Sequence, residues 1–140
     1  MDILGFNKEY RFLSNFYPAK VEYDGLEYSS TEHAYQAAKT EDVAQRRRIR
    51  EAQKPGDAKR LGQQVKMRTN WEQIKIDVMR ELVRQKFSNH EELKEKLLAT
   101  GDAYIEETNT WNDTFWGVCK GKGQNWLGKI LMEIRQELSA

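Results

Sequence analysis

Apolar residues recur at helical spacing at Trp71, Ile74, Val78, Leu82 and Val83, with Met79 alongside, in a segment that runs to Phe87. The spacing predicts the longest helix of the chain, 71–87, with Asn70 as its cap. A one-sided apolar stripe of that length has to be covered by other elements, so a helix-rich core follows. The 140 residues suffice for one such core, and a single domain over 1–140 is expected.

Other elements are read around this helix. Asp24-Gly25 lies between Val21-Glu22-Tyr23 and Leu26-Glu27-Tyr28 and predicts a hairpin. Ser29-Ser30-Thr31-Glu32 fits the S/T-x-x-E capping box and opens a helix that runs to Lys39. A second helix is expected over 41–53, stopping before Pro55-Gly56, and a short third one is capped at Asp57 and reaches Gly62. Leu93, Leu97 and Leu98 place a further helix over 90–99, with Gly101 as its stop signal. Segments 104–108 and 115–119 look like short strands flanking a Trp111-Asn112-Asp113 turn, and a final helix covers about 125–138. The expected class is α+β: compact, mostly helical, with a small antiparallel sheet.

Composition narrows the function. The single cysteine, Cys119, excludes an internal disulfide framework and, with only His33 and His90, a Cys₂His₂ zinc site, so neither a metal nor another cofactor is expected. No stretch approaches 18 apolar residues and the first residues do not resemble a secretory leader, so the chain reads as cytoplasmic and without a membrane partner. A net charge of +1 rules out a uniformly basic coat. The sum conceals an uneven distribution. Residues 44–68 hold nine basic side chains (Arg46, Arg47, Arg48, Arg50, Lys54, Lys59, Arg60, Lys66, Arg68) against Glu51 and Asp57, a net of +7. The remainder carries −6, and all the aromatic residues lie outside 36–70.

Chemistry concentrates on the helix that starts near Ser30. Glu32, Tyr35, Gln36 and Lys39 share one face, while Ala34, Ala37 and Ala38 allow close packing on the other. At 1.5 Å per residue Glu32 and Lys39 are about 10 Å apart along the axis, a span that a small substrate can bridge. Glu32 reads either as a capping glutamate or as the carboxylate of a cleft wall. His33 points about 100° away and reads as structural. Asn112-Asp113-Thr114-Phe115-Trp116-Gly117 is either a stacking platform with a polar rim or a turn with core aromatics. Gly121-Lys122-Gly123-Gln124-Asn125 lacks the P-loop spacing, and no acyl-transfer signature is present. The 46–50 run reads as a solvated helix face, from which at most two arginines reach one ligand.

Three segments together resemble a known family. Phe12-Leu13-Ser14-Asn15-Phe16-Tyr17-Pro18, Tyr28-Ser29-Ser30-Thr31-Glu32-His33-Ala34-Tyr35-Gln36-Ala37-Ala38-Lys39, and Trp116-Gly117 with Gly123-Gln124-Asn125-Trp126-Leu127-Gly128-Lys129-Ile130-Leu131-Met132-Glu133-Ile134-Arg135 are similar to the NADAR, or YbiA-like, family. The resemblance spans roughly 6–135, with its segments in the expected order. It implies a compact α+β fold and an N-glycosidase that cleaves the bond between a ribose anomeric carbon and an exocyclic amine. One branch of the family acts on phosphorylated ribosylaminopyrimidines of the riboflavin pathway, and another removes ADP-ribose from guanine bases in nucleic acid.

Under that resemblance Glu32 carries the proton transfers. Lys39 is a Schiff-base nucleophile or a phosphate or hydroxyl ligand, and Asp113 holds ribose hydroxyls or assists Glu32. Trp116 with Gly117 meets the base, Tyr35 and Gln36 line the wall beside Glu32, and Asn15, Phe16 and Tyr17 form a second wall. Lys66 and the arginines of 46–50 are phosphate ligands. The expected partners are an ADP-ribose or ribosyl-phosphate moiety and, given the +7 segment, ADP-ribosylated DNA or RNA. The alternatives are the riboflavin-pathway intermediates and a non-catalytic ADP-ribose or nucleotide binder.

Overall fold

The computed structural model describes all 140 residues, Met1–Ala140. The chain clusters into two compact units, one formed by Met1–Ser14 with Phe87–Ala140 and the other by Asn15–Lys86.

The Asn15–Lys86 unit begins with the expected hairpin, β1 (Asp2–Leu4) belonging to the other unit. Strands β2 (Pro18–Tyr23) and β3 (Leu26–Ser30) pair antiparallel, with an irregularity between Pro18 and Val21. Asp24 and Gly25 both take positive φ at the turn, 52° and 85°, which suits this residue pair. Helix α1 (Thr31–Ala38) follows directly, with every residue buried. Next come α2 (Val43–Arg50), α3 (Pro55–Gly62) and the first sixteen residues of α4 (Trp71–Ser88). Ala34, Ala37 and Ala38 are fully buried, and α1 packs against the hairpin, α2 and α3. The outer edge of β2 is closed by a side chain: the Gln85 amide accepts from Glu22 N and donates to Glu22 O, both at 2.8 Å.

Two start signals differ from their sequence reading. The N-cap of α1 is Ser30, whose hydroxyl accepts from His33 N at 3.1 Å, so His33 rather than Glu32 occupies the third helical position. Pro55 opens α3 after Lys54, because a proline without an N–H suits the first turn; it does not break the chain there. The expected 41–53 helix shortens to Val43–Arg50, capped by the Asp42 carboxylate.

In the other unit, β1 pairs with β4 (Tyr104–Glu106) in parallel, and β5 (Thr108–Asn109) pairs in parallel with β6 (Val118–Cys119). A 3-10 helix over Lys8–Leu13, α5 (Glu91–Ala99) and α6 (Trp126–Leu138) complete it. Its core includes Ile3, Phe12, Leu13, Phe87, Leu97, Ile105, Ile130, Leu131 and Ile134. The sheet content therefore comprises one antiparallel and two parallel pairs. Phe115–Gly117 lies outside any strand, because residues 110–117 wrap around the Asn109 and Asp113 side chains.

Candidate active site

Glu32 occupies the second position of α1 and is 7% exposed. Its Oε2 accepts a 2.6 Å hydrogen bond from the Gln36 amide one turn later. The amide is itself fixed, because α3 passes so close that a Cβ at Gly62 would collide with it. Gly62 is thus needed for close approach. Gln36 Oε1 is buried with no hydrogen-bond partner, the kind of atom that a ligand donor would satisfy. The capping reading of Glu32 falls away: Ser30 caps, and the His33 ring completes the turn through Nδ1 to Ser30 Oγ at 2.7 Å and Nε2 to Ala52 O at 2.9 Å. His33 is structural, as expected.

Lys39 ends the same helical face. Its Nζ lies 5.6 Å from the centroid of the Tyr35 ring, which in turn meets Trp71 at 5.3 Å with a 57° tilt. Burial pushes the Lys39 amine down from its ordinary value. Glu32 opposes that shift by favouring the ammonium, and Lys59 and Lys75 add to it. The Asn15–Tyr17 segment is tied in as well: Asn15 O accepts from Glu32 N at 3.1 Å, and the Asn15 amide lies 3.5 Å from Met79 Sδ. Phe16 is 40% exposed and Tyr17 half-buried. One unit thus gathers Glu32, Tyr35, Gln36, Lys39 and Asn15.

The basic segment is divided by the fold. Arg46 is buried, pairs with Asp24 at 2.7 Å, donates through Nε to Thr40 O at 2.7 Å and lies 5.3 Å from the Tyr23 ring centroid. Arg50 donates to Glu27 O at 2.6 Å. These two arginines tether α2 to the hairpin. Arg46 is withdrawn from the expected set of phosphate ligands, since a buried guanidinium engaged with a carboxylate, a carbonyl and a ring is already committed, whereas Arg50 is exposed and uses only its Nε on the hairpin. Arg47, Arg48, Lys54 and Lys66 stay exposed. A cleft of about 80 Å³ between α2 and α3 is lined by Arg48 with Gln45, Ile49, Leu61, Gln64 and Val65.

In the other unit, Asp113 Oδ1 accepts from Phe115 N at 3.1 Å and Trp116 N at 2.9 Å, which fixes the loop that presents Trp116. Trp116 is half-buried and meets Phe115 edge to face at 4.9 Å. Gly117 is buried, where a Cβ would collide with Glu107; its placement reads as close packing rather than as a ligand contact. Sequence reasoning gave no role to Glu107 or Asn109 and met Asn125 only as the end of the Gly121–Asn125 segment. The Asn109 amide donates to Glu107 Oε2 at 2.9 Å and to Asp113 O at 2.9 Å, and Asn125, at φ 54°, donates to Ile105 O and accepts from Glu107 N. Only an asparagine after a Gly-rich link, at the start of a helix, offered a signal. No three His, Cys, Asp or Glu side chains gather where they could hold a metal ion.

The NADAR domain model matches residues 5–139. The chain belongs to the NADAR family. Among NADAR relatives, the N-glycosidase YbiA of Escherichia coli is 41% identical over 134 residues, covering 94% of this chain and 83% of that protein. The riboflavin biosynthesis protein VVA0006 of Vibrio vulnificus is 39% identical over 135 residues, which are 94% of this chain and 36% of that protein. The chain thus spans about a third of the Vibrio relative's length. The solution NMR structure of E. coli YbiA superposes with a TM-score of 0.86 at 38% identity, covering 99% of this chain and 84% of that one. The NADAR fold expected from the sequence is the fold observed.

Proposed function

We propose that this chain removes ADP-ribose from guanine bases in nucleic acid by hydrolysing the bond between ribose C1 and the exocyclic amine. The broader activity follows from family membership: the chain is a hydrolase of N-glycosyl bonds, like the relatives named N-glycosidases. The observation that carries the reading is the Glu32 carboxylate, nearly buried, oriented by the Gln36 amide and joined on one helical face by the Lys39 amine.

Breaking an N-glycosyl bond at neutral pH needs a proton delivered to the departing side and stabilisation of positive charge at C1. A carboxylic acid held at one position does the first, and its carboxylate form favours the second. Lys39 supplies a cation for phosphate or hydroxyl oxygens, or an amine for C1. The exposed Arg47, Arg48, Lys54 and Lys66 favour a polynucleotide, whose phosphates they can neutralise without base-specific contacts.

A second reading, hydrolysis of phosphorylated ribosylaminopyrimidines, is favoured by the name of the Vibrio relative. Parallel incubation with ADP-ribosylated guanosine DNA and with a ribosylaminopyrimidine phosphate, followed by mass spectrometry, separates them. Faster release of ADP-ribose supports the first reading, and faster release of the pyrimidine supports the second. Absence of turnover on both, with folded protein, rejects both.

A further inference from the structure

The cleft between α2 and α3 takes no part in breaking an N-glycosyl bond, yet it is built from two matching faces. Gln45, Arg48 and Ile49 stand at i, i+3 and i+4 on α2. Leu61, Gln64 and Val65 repeat that spacing where α3 ends in a turn, with Gln64 N donating to Leu61 O at 3.0 Å. The three apolar residues form the floor, Ile49 being only 1% exposed, and the three polar ones form the rim. No carboxylate lines the cleft. Its volume is about 80 Å³, room for on the order of six water-sized groups at about 10–15 Å³ each. A pyrimidine ring fits that space, and a fused purine protrudes from it.

The rim is rich in hydrogen-bond donors. Gln45 Oε1 accepts from Thr40 Oγ1 at 3.1 Å and from Lys66 N at 3.3 Å, which fixes the amide and leaves its N–H groups for the cleft. Arg48 is exposed and, unlike Arg46 and Arg50, is bound neither to the hairpin nor to a carboxylate, so its guanidinium adds a fork of donors. Donors in this number suit a ring edge that carries carbonyl oxygens. The exposed Arg47 and Lys66 adjoin the lining residues Arg48 and Val65 and place positive charge beside the cleft. Two links join the cleft to α1: Thr40 follows Lys39, and Gly62, next to Leu61, makes room for the Gln36 amide that holds Glu32.

We propose that this cleft is a subsite for one unpaired pyrimidine nucleotide flanking the modified guanosine. The base lies on Ile49, Leu61 and Val65 with its edge toward Gln45 and Arg48, and Arg47 and Lys66 meet the adjoining phosphates. The proposal rests on the reading that the substrate is nucleic acid. A base enters the cleft only when it is unpaired, so the subsite selects single strands over duplexes. It also gives the strand a sequence preference, which phosphate contacts alone cannot supply.

The test compares KM for ADP-ribosylated guanosine as the free nucleoside, in a single strand with flanking thymidines, and in the same strand with flanking tetrahydrofuran abasic residues, which keep every phosphate and remove the bases. The expected result is a KM about 5- to 50-fold lower for the thymidine-flanked strand than for the abasic one. Flanking adenosines should give a smaller advantage, and hybridisation to a complement should abolish it. Gln64 is exposed, so Gln64→Ala keeps the fold, and it should shrink the gap between thymidine-flanked and abasic strands several-fold. Equal KM values for those two strands, an equal advantage for adenosine, an advantage that survives in the duplex, or a gap unchanged in Gln64→Ala each overturn the subsite and leave the nucleic-acid reading standing. Turnover of the nucleoside with none of either strand, or no turnover of any of them, overturns both.

Discussion

Gln36 donates its amide proton to the Glu32 carboxylate at 2.6 Å, one helical turn away and out of solvent. The amide one turn along the same helix holds the carboxylate in one orientation. Glu32→Gln is expected to keep the fold, with a melting temperature within a few degrees of the parent, and to lose about 100- to 10,000-fold in turnover. Calorimetry and a product-release assay on the same preparations check it. A variant that retains turnover removes Glu32 from the mechanism.

Gly62→Ala should damage the site from a distance. The added methyl collides with the Gln36 amide, so either α3 retreats or the amide leaves Glu32. The expected cost is about 1–3 kcal/mol in urea unfolding, together with a drop in kcat larger than any change in KM.

Stability should depend on pH through Lys86. Its amine titrates at about 7 in the folded chain against an ordinary value of 10.5. Between those limits the unfolded chain binds more protons, so stability rises with pH; below about 7 both states are charged and the full penalty applies. Relative to Lys86→Met, the parent should gain on the order of a few kcal/mol between pH 6.5 and pH 10. Urea midpoints for both proteins measure this, and a constant difference between them would contradict it.

The hairpin at Asp24-Gly25, the long helix at Trp71 and the face of Glu32, Tyr35, Gln36 and Lys39 were legible because each is written in local spacing. The two parallel strand pairs were not: β1 and β4 lie about a hundred residues apart, and strands of three residues or fewer leave no alternating pattern in either pair. The cap at Ser30 was misplaced by one residue because two serines stand side by side, and only the bond from the His33 backbone N–H to Ser30 Oγ separates them. Lys86 was visible in principle: it stands seven residues after Met79 and four after Leu82, on the buried face. A charged residue there breaks the pattern that defines the helix, and pattern reading discards such exceptions.

The basic segment predicts a division of labour. Arg46→Ala should cost about 1–3 kcal/mol, because it removes a buried guanidinium hydrogen-bonded to Thr40 O and paired with Asp24. Arg47→Ala with Arg48→Ala should leave stability within about 0.5 kcal/mol and weaken binding of ADP-ribosylated DNA, with a shallower dependence on salt. Chemical denaturation and fluorescence titrations over a range of salt concentrations measure the two effects separately.

The tethering of α2 by Arg46 and Arg50 also bears on how such a chain can diversify. The positions that hold the helix down and those that face outward alternate within five consecutive residues, so neighbouring codons are under different selection. Arg47 and Arg48 can therefore change while the scaffold beneath stays unchanged.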